Sequence, residues 1–459
     1  EQHIEELKND LQADGFCMRD FYATESAFLS VCFTYRLAKR SVPSKRKLRK
    51  NGSQKGPSLR KESSAKRSRK KVRPFAAAKR SVPSKRKLAS IPSLFDPPPM
   101  RLRRLKAPAF LPVAYYHCVS RVVDRQFVLG EEEKDKLIEY MRIYERFGGL
   151  RVISYCIMSN HFHILAEVPQ RPDVATLPDD AGLVAKVRTC LGDKLANDLE
   201  WQLELHRKQG NTPAAEELRE RWFGRMWDIS AFMKVLKQRF TQWFNGKHTR
   251  RGTLWEDRFR SVLVEGKGQA LRAMAAYIDL NPVRAKICDD PKDYRWCGYA
   301  EAVAGGKEAR EAVAFLAALN PHGGMRPESD AVVKPKEALR RWRCYLFGIP
   351  EIEVRQKEET AKGEMAPVYR DRIPRAKALE VLARGGKLSE ADYLRCKVRY
   401  FSDGVVIGGK AFVEDMFTSF RDRFGPKRKD GARPLRGLAG DSAKDRLFNF
   451  RQLRTGVFG

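Results

Sequence analysis

The sequence predicts an α+β fold, an antiparallel sheet with helices packed on one face, from three observations. Short runs rich in β-branched and aromatic residues alternate with stretches of helical apolar spacing. Their order is β-α-β-β-α-β-α, and the two successive strands are separated only by the turn candidate Ser159-Asn160. The helical spacing over 229–244 leaves one apolar face to bury.

In order, residues 112–120 read as a strand, and 131–147 as an amphipathic helix carrying Leu137, Ile138, Met141, Ile143 and Tyr144. Residues 150–158 and 162–168 are the next two strands. A polar, helical insertion spans 178–221. Ile229, Phe232, Met233, Leu236, Phe240, Trp243 and Phe244 then keep i, i+3, i+4, i+7 spacing, which predicts a helix with one buried face. Residues 259–265 alternate as a strand, and 269–280 form a helix closed by Asn281-Pro282.

Outside 107–305 the composition changes. Residues 1–35 are unassigned, and 36–106 are crowded with Lys, Arg, Ser and Pro, with Glu62 and Asp96 the only acids. Such a segment buries too little apolar surface to offset its chain entropy and is expected to be a disordered basic arm. It repeats AKRSVPSKRKL at 38–48 and 78–88, one duplication rather than a solenoid. After a linker at 306–335, residues 336–425 read as a small helical module, either a DNA-reading helix-turn-helix or a packing module. Residues 426–459 read as a mobile basic tail.

A net charge of +33 favours a polyanionic partner, because each cation that neutralises a phosphate releases counterions. An anionic membrane surface would satisfy the same charge, but no apolar run long enough to span a bilayer is present. The nine cysteines form no CxxC pair, which disfavours a disulfide framework or a thiolate zinc site and fits reduced, cytosolic thiols.

Two local patterns could carry chemistry. In Asn160-His161-Phe162-His163 the two imidazoles share one face of a strand while Phe162 takes the other, a ready ligand pair for a divalent metal or simply two polar residues. Tyr277 and Asn281 stand i, i+4 on a helix; a phenol can act as a nucleophile, but taken alone Tyr277 reads better as one of 14 tyrosines packing on a helix. His117 could approach a metal or serve structurally, Trp255 and Glu256 read as packing and pairing residues, and Asp279 faces away from Tyr277.

Taken together, His161-Phe162-His163 and Tyr277-Ile-x-x-Asn281-Pro282-Val283-Arg284-Ala285 resemble the HUH single-tyrosine transposases, most closely the insertion-sequence-200-like and REP-associated tyrosine transposases. Tyr116-His-Cys-Val-Ser-Arg121, Tyr155-Cys-Ile-Met-Ser-Asn-His161, Gly252-Thr-Leu-Trp-Glu-Asp-Arg258 and Pro291-x-Asp-Tyr-x-Trp296 extend the resemblance over about 110–300. It implies a ferredoxin-like or RRM-like domain, with Tyr277 as nucleophile and His161, His163 and Asn281 holding Mg²⁺ or Mn²⁺. It also implies a single-stranded, hairpin-forming DNA substrate, cleaved through a 5′-phosphotyrosine and rejoined, in the bacterial cytoplasm near the nucleoid. Arg121, Arg258 and Arg260 are the expected phosphate contacts. A catalytically inactive DNA-binding relative and a metal-dependent hydrolytic nuclease stay open, as does the choice between monomer and homodimer.

Overall fold

The computed structural model describes residues 105–319, 334–349, 374–403, 405–439, 446–451 and 456–458, all within one unit, Pro97–Gly459. Residues 1–35, and the expected basic arm but for its last two residues, lie outside the described part.

The run of β-formers expected at 112–120 forms β1 (Val113–Arg121), followed by α1 (Glu131–Gly148). Three glutamates in the first turn of α1 complement its dipole, and Gly149 ends it in the left-handed conformation (φ 61°). β2 (Arg151–Ile157) and β3 (His161–Pro169) make a hairpin whose turn is closed by Met158 N–H donating to the His161 carbonyl at 2.8 Å. The insertion folds as α2 (Asp180–Leu191), α3 (Asp193–Lys208) and α4 (Thr212–Phe223), and α5 (Ile229–Lys247) returns to the sheet. β4 (Arg260–Val264) then pairs with β1.

β1 pairs antiparallel with β3 and with β4, and β2 with β3, so the spatial order is β2-β3-β1-β4. With one helix between β1 and β2 and α5 as the last helix before β4, this is the ferredoxin-like arrangement. Successive residues of a strand point to opposite faces. Phe162 packs edge-on against Trp255 (5.3 Å between ring centroids), and Trp255 lies 5.8 Å from Phe240 of α5, which defines the α5 face.

Helices cover the other face as well. α6 (Gly268–Asp279) crosses it and continues past Leu280 into α7 (Asn281–Arg284). Ala270, Ala273, Ala275 and Ala276 are all buried, and their small side chains let the α6 backbone lie close to its neighbours. Asp279 is fully sequestered: Ser154 Oγ of β2 donates to it at 2.9 Å and Trp342 Nε1 at 3.0 Å. The chain runs on through α8 (Gly298–Ala304), α9 (Lys307–Ala318) and α10 (Pro335–Phe347), which carries Trp342.

The C-terminal part holds α11 (Arg375–Ala383), α12 (Glu390–Arg395), α13 (Arg399–Asp403), β5 (Val406–Gly408), α14 (Lys410–Ser419), β6 (Arg433–Pro434) and β7 (Phe448–Asn449). It is therefore mixed rather than helical alone. β5 pairs parallel with β4, matching Leu263 to Val406, and β7 and β6 follow to complete a seven-stranded sheet. The stretch after 426, expected to be a mobile tail, supplies two of those strands, with Arg428 lying over the rings of Phe417 and Phe424. No helix among the described residues is long and apolar enough to cross a membrane.

Burial pushes the Asp279 carboxyl up to about 7, against the pull of the Trp342 and Ser154 donors. A carboxyl raised in the folded state contributes stability below its ordinary value near 3.8, and that contribution is lost as pH rises towards 7. Relative to Asp279→Asn, the wild type should therefore lose a few kcal/mol, up to about 4, between pH 4 and 7, measured by urea unfolding. A pH-independent difference between the two proteins would show that the carboxyl is not perturbed.

Candidate active site

β3 presents His161 and His163 on the face covered by α6, with ring centroids 5.1 Å apart and planes at 76°. The register places Arg121 opposite His161 and Val119 opposite His163, so His117 is the diagonal neighbour of His163. His117 Nε2 lies 2.8 Å from His163 Nδ1, and His117 Nδ1 lies 2.8 Å from the Phe401 carbonyl. His161 Nδ1 lies 2.6 Å from Asn160 Oδ1.

Burial holds all three imidazoles neutral. It lowers His161 to about 3, helped by the charges of Arg121, Lys397 and Arg284. It lowers His117 to about 4 against the Phe401 carbonyl, and His163 well below the ordinary range, with His117 and His161 adding to the effect. A neutral imidazole keeps one lone pair, which is the state a metal requires. His117 and His163 are buried, whereas His161 keeps part of its surface open.

α6 carries Tyr277 to this cluster. Its ring centroid is 6.4 Å from that of His163 and 6.5 Å from that of His117, both edge-on. The Arg284 guanidinium sits 3.8 Å from the Tyr277 ring centroid, donates to the Leu394 carbonyl through Nη1 at 3.1 Å, and has Nη2 buried without a hydrogen-bond partner. Burial raises the Tyr277 phenol and Arg284 pulls it down; burial wins, so the hydroxyl keeps its proton at neutral pH. Tyr277 is only 3% exposed, because the ring of Phe401 on α13 covers it at a centroid distance of 4.7 Å.

The other expected residues are distributed unevenly. Asn281 opens α7, nine-tenths buried, with Nδ2 lacking a hydrogen-bond partner. Turning the amide over would put its oxygen in that place. Arg121 contributes charge next to His161, as noted. Arg260 is paired with Asp403 of α13 at 3.0 Å. Arg258 is exposed and lines a groove of about 1100 Å³ with Lys234, Lys237, Gln242 and Arg423. Trp255 packs in the core, donating to Thr241 Oγ1 at 2.9 Å.

Among the described residues no group of three or more His, Cys, Asp or Glu is arranged to hold a metal. His117 cannot be a third ligand here, since both its nitrogens are engaged. The set that fits a hard divalent ion is thus two imidazoles supplemented by an amide, water or phosphate oxygen, and the Asn281 amide, whose Nδ2 lacks a partner, offers such an oxygen once turned over.

Residues 111–178 match the family model described as IS200-like transposase. That stretch of the chain is similar to the IS200-like transposases. It takes in β1 to β3, with His117, His161 and His163, and stops before the helix that carries Tyr277. Two solved structures are similar in part. One is a REP-associated tyrosine transposase bound to a REP hairpin, 13% identical, covering 45% of this chain and 87% of that one, with a TM-score of 0.29. The other is a candidate transposase of Deinococcus radiodurans R1, 15% identical, covering 40% and 92%, with a TM-score of 0.18. No curated protein matches the chain.

Sequence reading gave no role to Arg284 within the IS200-like motif, and nothing in the sequence pointed to Phe401. The cover on Tyr277 can be tested directly with a tyrosine-acylating reagent and peptide mapping. Tyr277 should stay unmodified in the wild type and react in Phe401→Ala, which should also unfold more easily by roughly 3–5 kcal/mol. Equal labelling in both proteins would show that α13 does not shield the tyrosine.

Proposed function

We propose that this chain is a transposase that cuts and rejoins single-stranded DNA through Tyr277. The observation that carries the reading is the approach of Tyr277, from α6, to within 6.4 Å of His163 on β3. His161 and His163, with Asn281, would hold Mg²⁺ or Mn²⁺. When bound, the ion would withdraw charge from a nonbridging phosphate oxygen as the phosphorus becomes pentavalent.

The chain's own groups supply the remainder. Tyr277 Oη loses its proton and attacks phosphorus, the bond to the 3′ oxygen breaks, and that oxygen takes up a proton, giving a 5′-phosphotyrosine and a 3′-hydroxyl. Rejoining is the reverse attack by a 3′-hydroxyl, which returns the phenol. Arg284, beside the Tyr277 ring, favours the phenolate as the proton leaves, and its unpartnered Nη2 is a donor for a phosphate oxygen. Arg121 beside His161, and the groove that includes Arg258, are suited to the DNA backbone, in keeping with the net charge of +33. Arg260, engaged with Asp403, would contact phosphate only after releasing that partner.

One observation favours a second reading, a relative that binds DNA without cleaving it: the nucleophile lies beneath Phe401. End-labelled single-stranded hairpins incubated with the full chain and Mg²⁺ or Mn²⁺, then run on a denaturing gel, separate the two. A covalent adduct should form and vanish in both Tyr277→Phe and His161→Ala. Binding without cleavage would support the silent relative, and cleavage that survives Tyr277→Phe would mean that water is the nucleophile.

A further inference from the structure

We infer that His117 is a positioning residue: it holds His163 in the tautomer whose Nε2 lone pair is open to a metal. The inference rests on reading His161 and His163 as ligands. The Phe401 carbonyl can only accept, so His117 Nδ1, 2.8 Å away, must carry a proton. His117 is completely buried, and its two nitrogens face a carbonyl and an imidazole rather than a carboxylate, so nothing beside the ring compensates a second proton. Its Nε2 is therefore a bare acceptor, and His163 Nδ1, 2.8 Å away, must donate to it. That leaves the hydrogen off His163 Nε2.

The ring geometry agrees. The His117 and His163 planes are inclined by only 12° with centroids 5.1 Å apart, which places the short N–N contact in the plane of both rings, where the lone pair lies. The same logic holds for His161, which donates through Nδ1 to Asn160 Oδ1 and so also leaves Nε2 free. The two candidate ligands are thus set alike, one by its sequence neighbour and one by a relay that starts at a carbonyl of α13. Groups behind a ligating imidazole fix its tautomer and raise its basicity, and losing one typically weakens metal binding by roughly 10- to 100-fold.

The test is Mn²⁺ affinity of the full chain, read from the free-ion electron paramagnetic resonance signal. His117→Leu should weaken binding by roughly 10- to 100-fold, whereas His117→Gln, whose amide oxygen can accept from His163, should recover most of it. Wild-type affinity in a folded His117→Leu would overturn the inference. Absence of Mn²⁺ binding in the wild type, or binding unaffected by His161→Ala, would instead overturn the ligand reading beneath it. Should His117→Leu fail to fold, long-range ¹H–¹⁵N spectra of histidine-labelled wild type decide the matter. Nδ1–H tautomers at both His117 and His163 support the relay, and an Nε2–H at His163 refutes it.

Discussion

Alternation along β3 is the constraint on which the remainder depends. Because neighbouring residues must face opposite ways, Phe162 enters the core against Trp255 while His161 and His163 stand together on the far face. The apolar residue is what holds the polar pair in place. Any slip of one residue in the β1–β3 register would exchange the faces, sending the imidazoles into the α5 core and the phenyl ring to the site. Cross-strand pairing at nine positions on β1 makes that exchange costly.

The second face is closed by α6, and a buried carboxylate fixes how. Asp279 joins β2 through Ser154 and α10 through Trp342, so the helix is tied to the sheet two residues beyond Tyr277. The electrostatics of the resulting pocket are unusual. It contains three neutral imidazoles, a phenol and a guanidinium, and its buried charge is positive. Such a cluster suits an anion, and a phosphate oxygen accepting from the buried guanidinium would meet that preference.

Much of this was readable in the sequence because it is periodic. The four ferredoxin-like strands and α5 keep their spacing over five residues or more, and the Ser159-Asn160 turn fixes the hairpin. The meeting of Tyr277 with the histidines was not readable from local pattern, since no periodicity relates α6 to β3; only the resemblance suggested it. β5, β6 and β7 are two or three residues long, too short for alternation to register, and exist by pairing with distant strands. Arg284 was overlooked for a similar reason. Charged residues are seldom buried, and the Tyr277 ring and Leu394 carbonyl that receive it come from elsewhere in the chain. Of the helices on the second face, α6 is the last element of the β-α-β-β-α-β-α order, and α8 to α10 come after it.

The added strands also alter what the sheet offers to its surroundings. An open sheet ends in unpaired backbone that another chain can extend. Here β4 hands its edge to β5, and the far end of the described sheet is the two-residue β6, where Pro434 has no N–H to donate. At the opposite end the Trp296 carbonyl accepts the Ile157 N–H, the backbone at Cys297 pairs with that at Cys156 in an isolated antiparallel β-bridge, and α9 packs along β2. Neither margin is a template for strand addition. Two copies of this protein brought together would have to recognise each other through side chains, and crowding should not seed a growing β-ribbon.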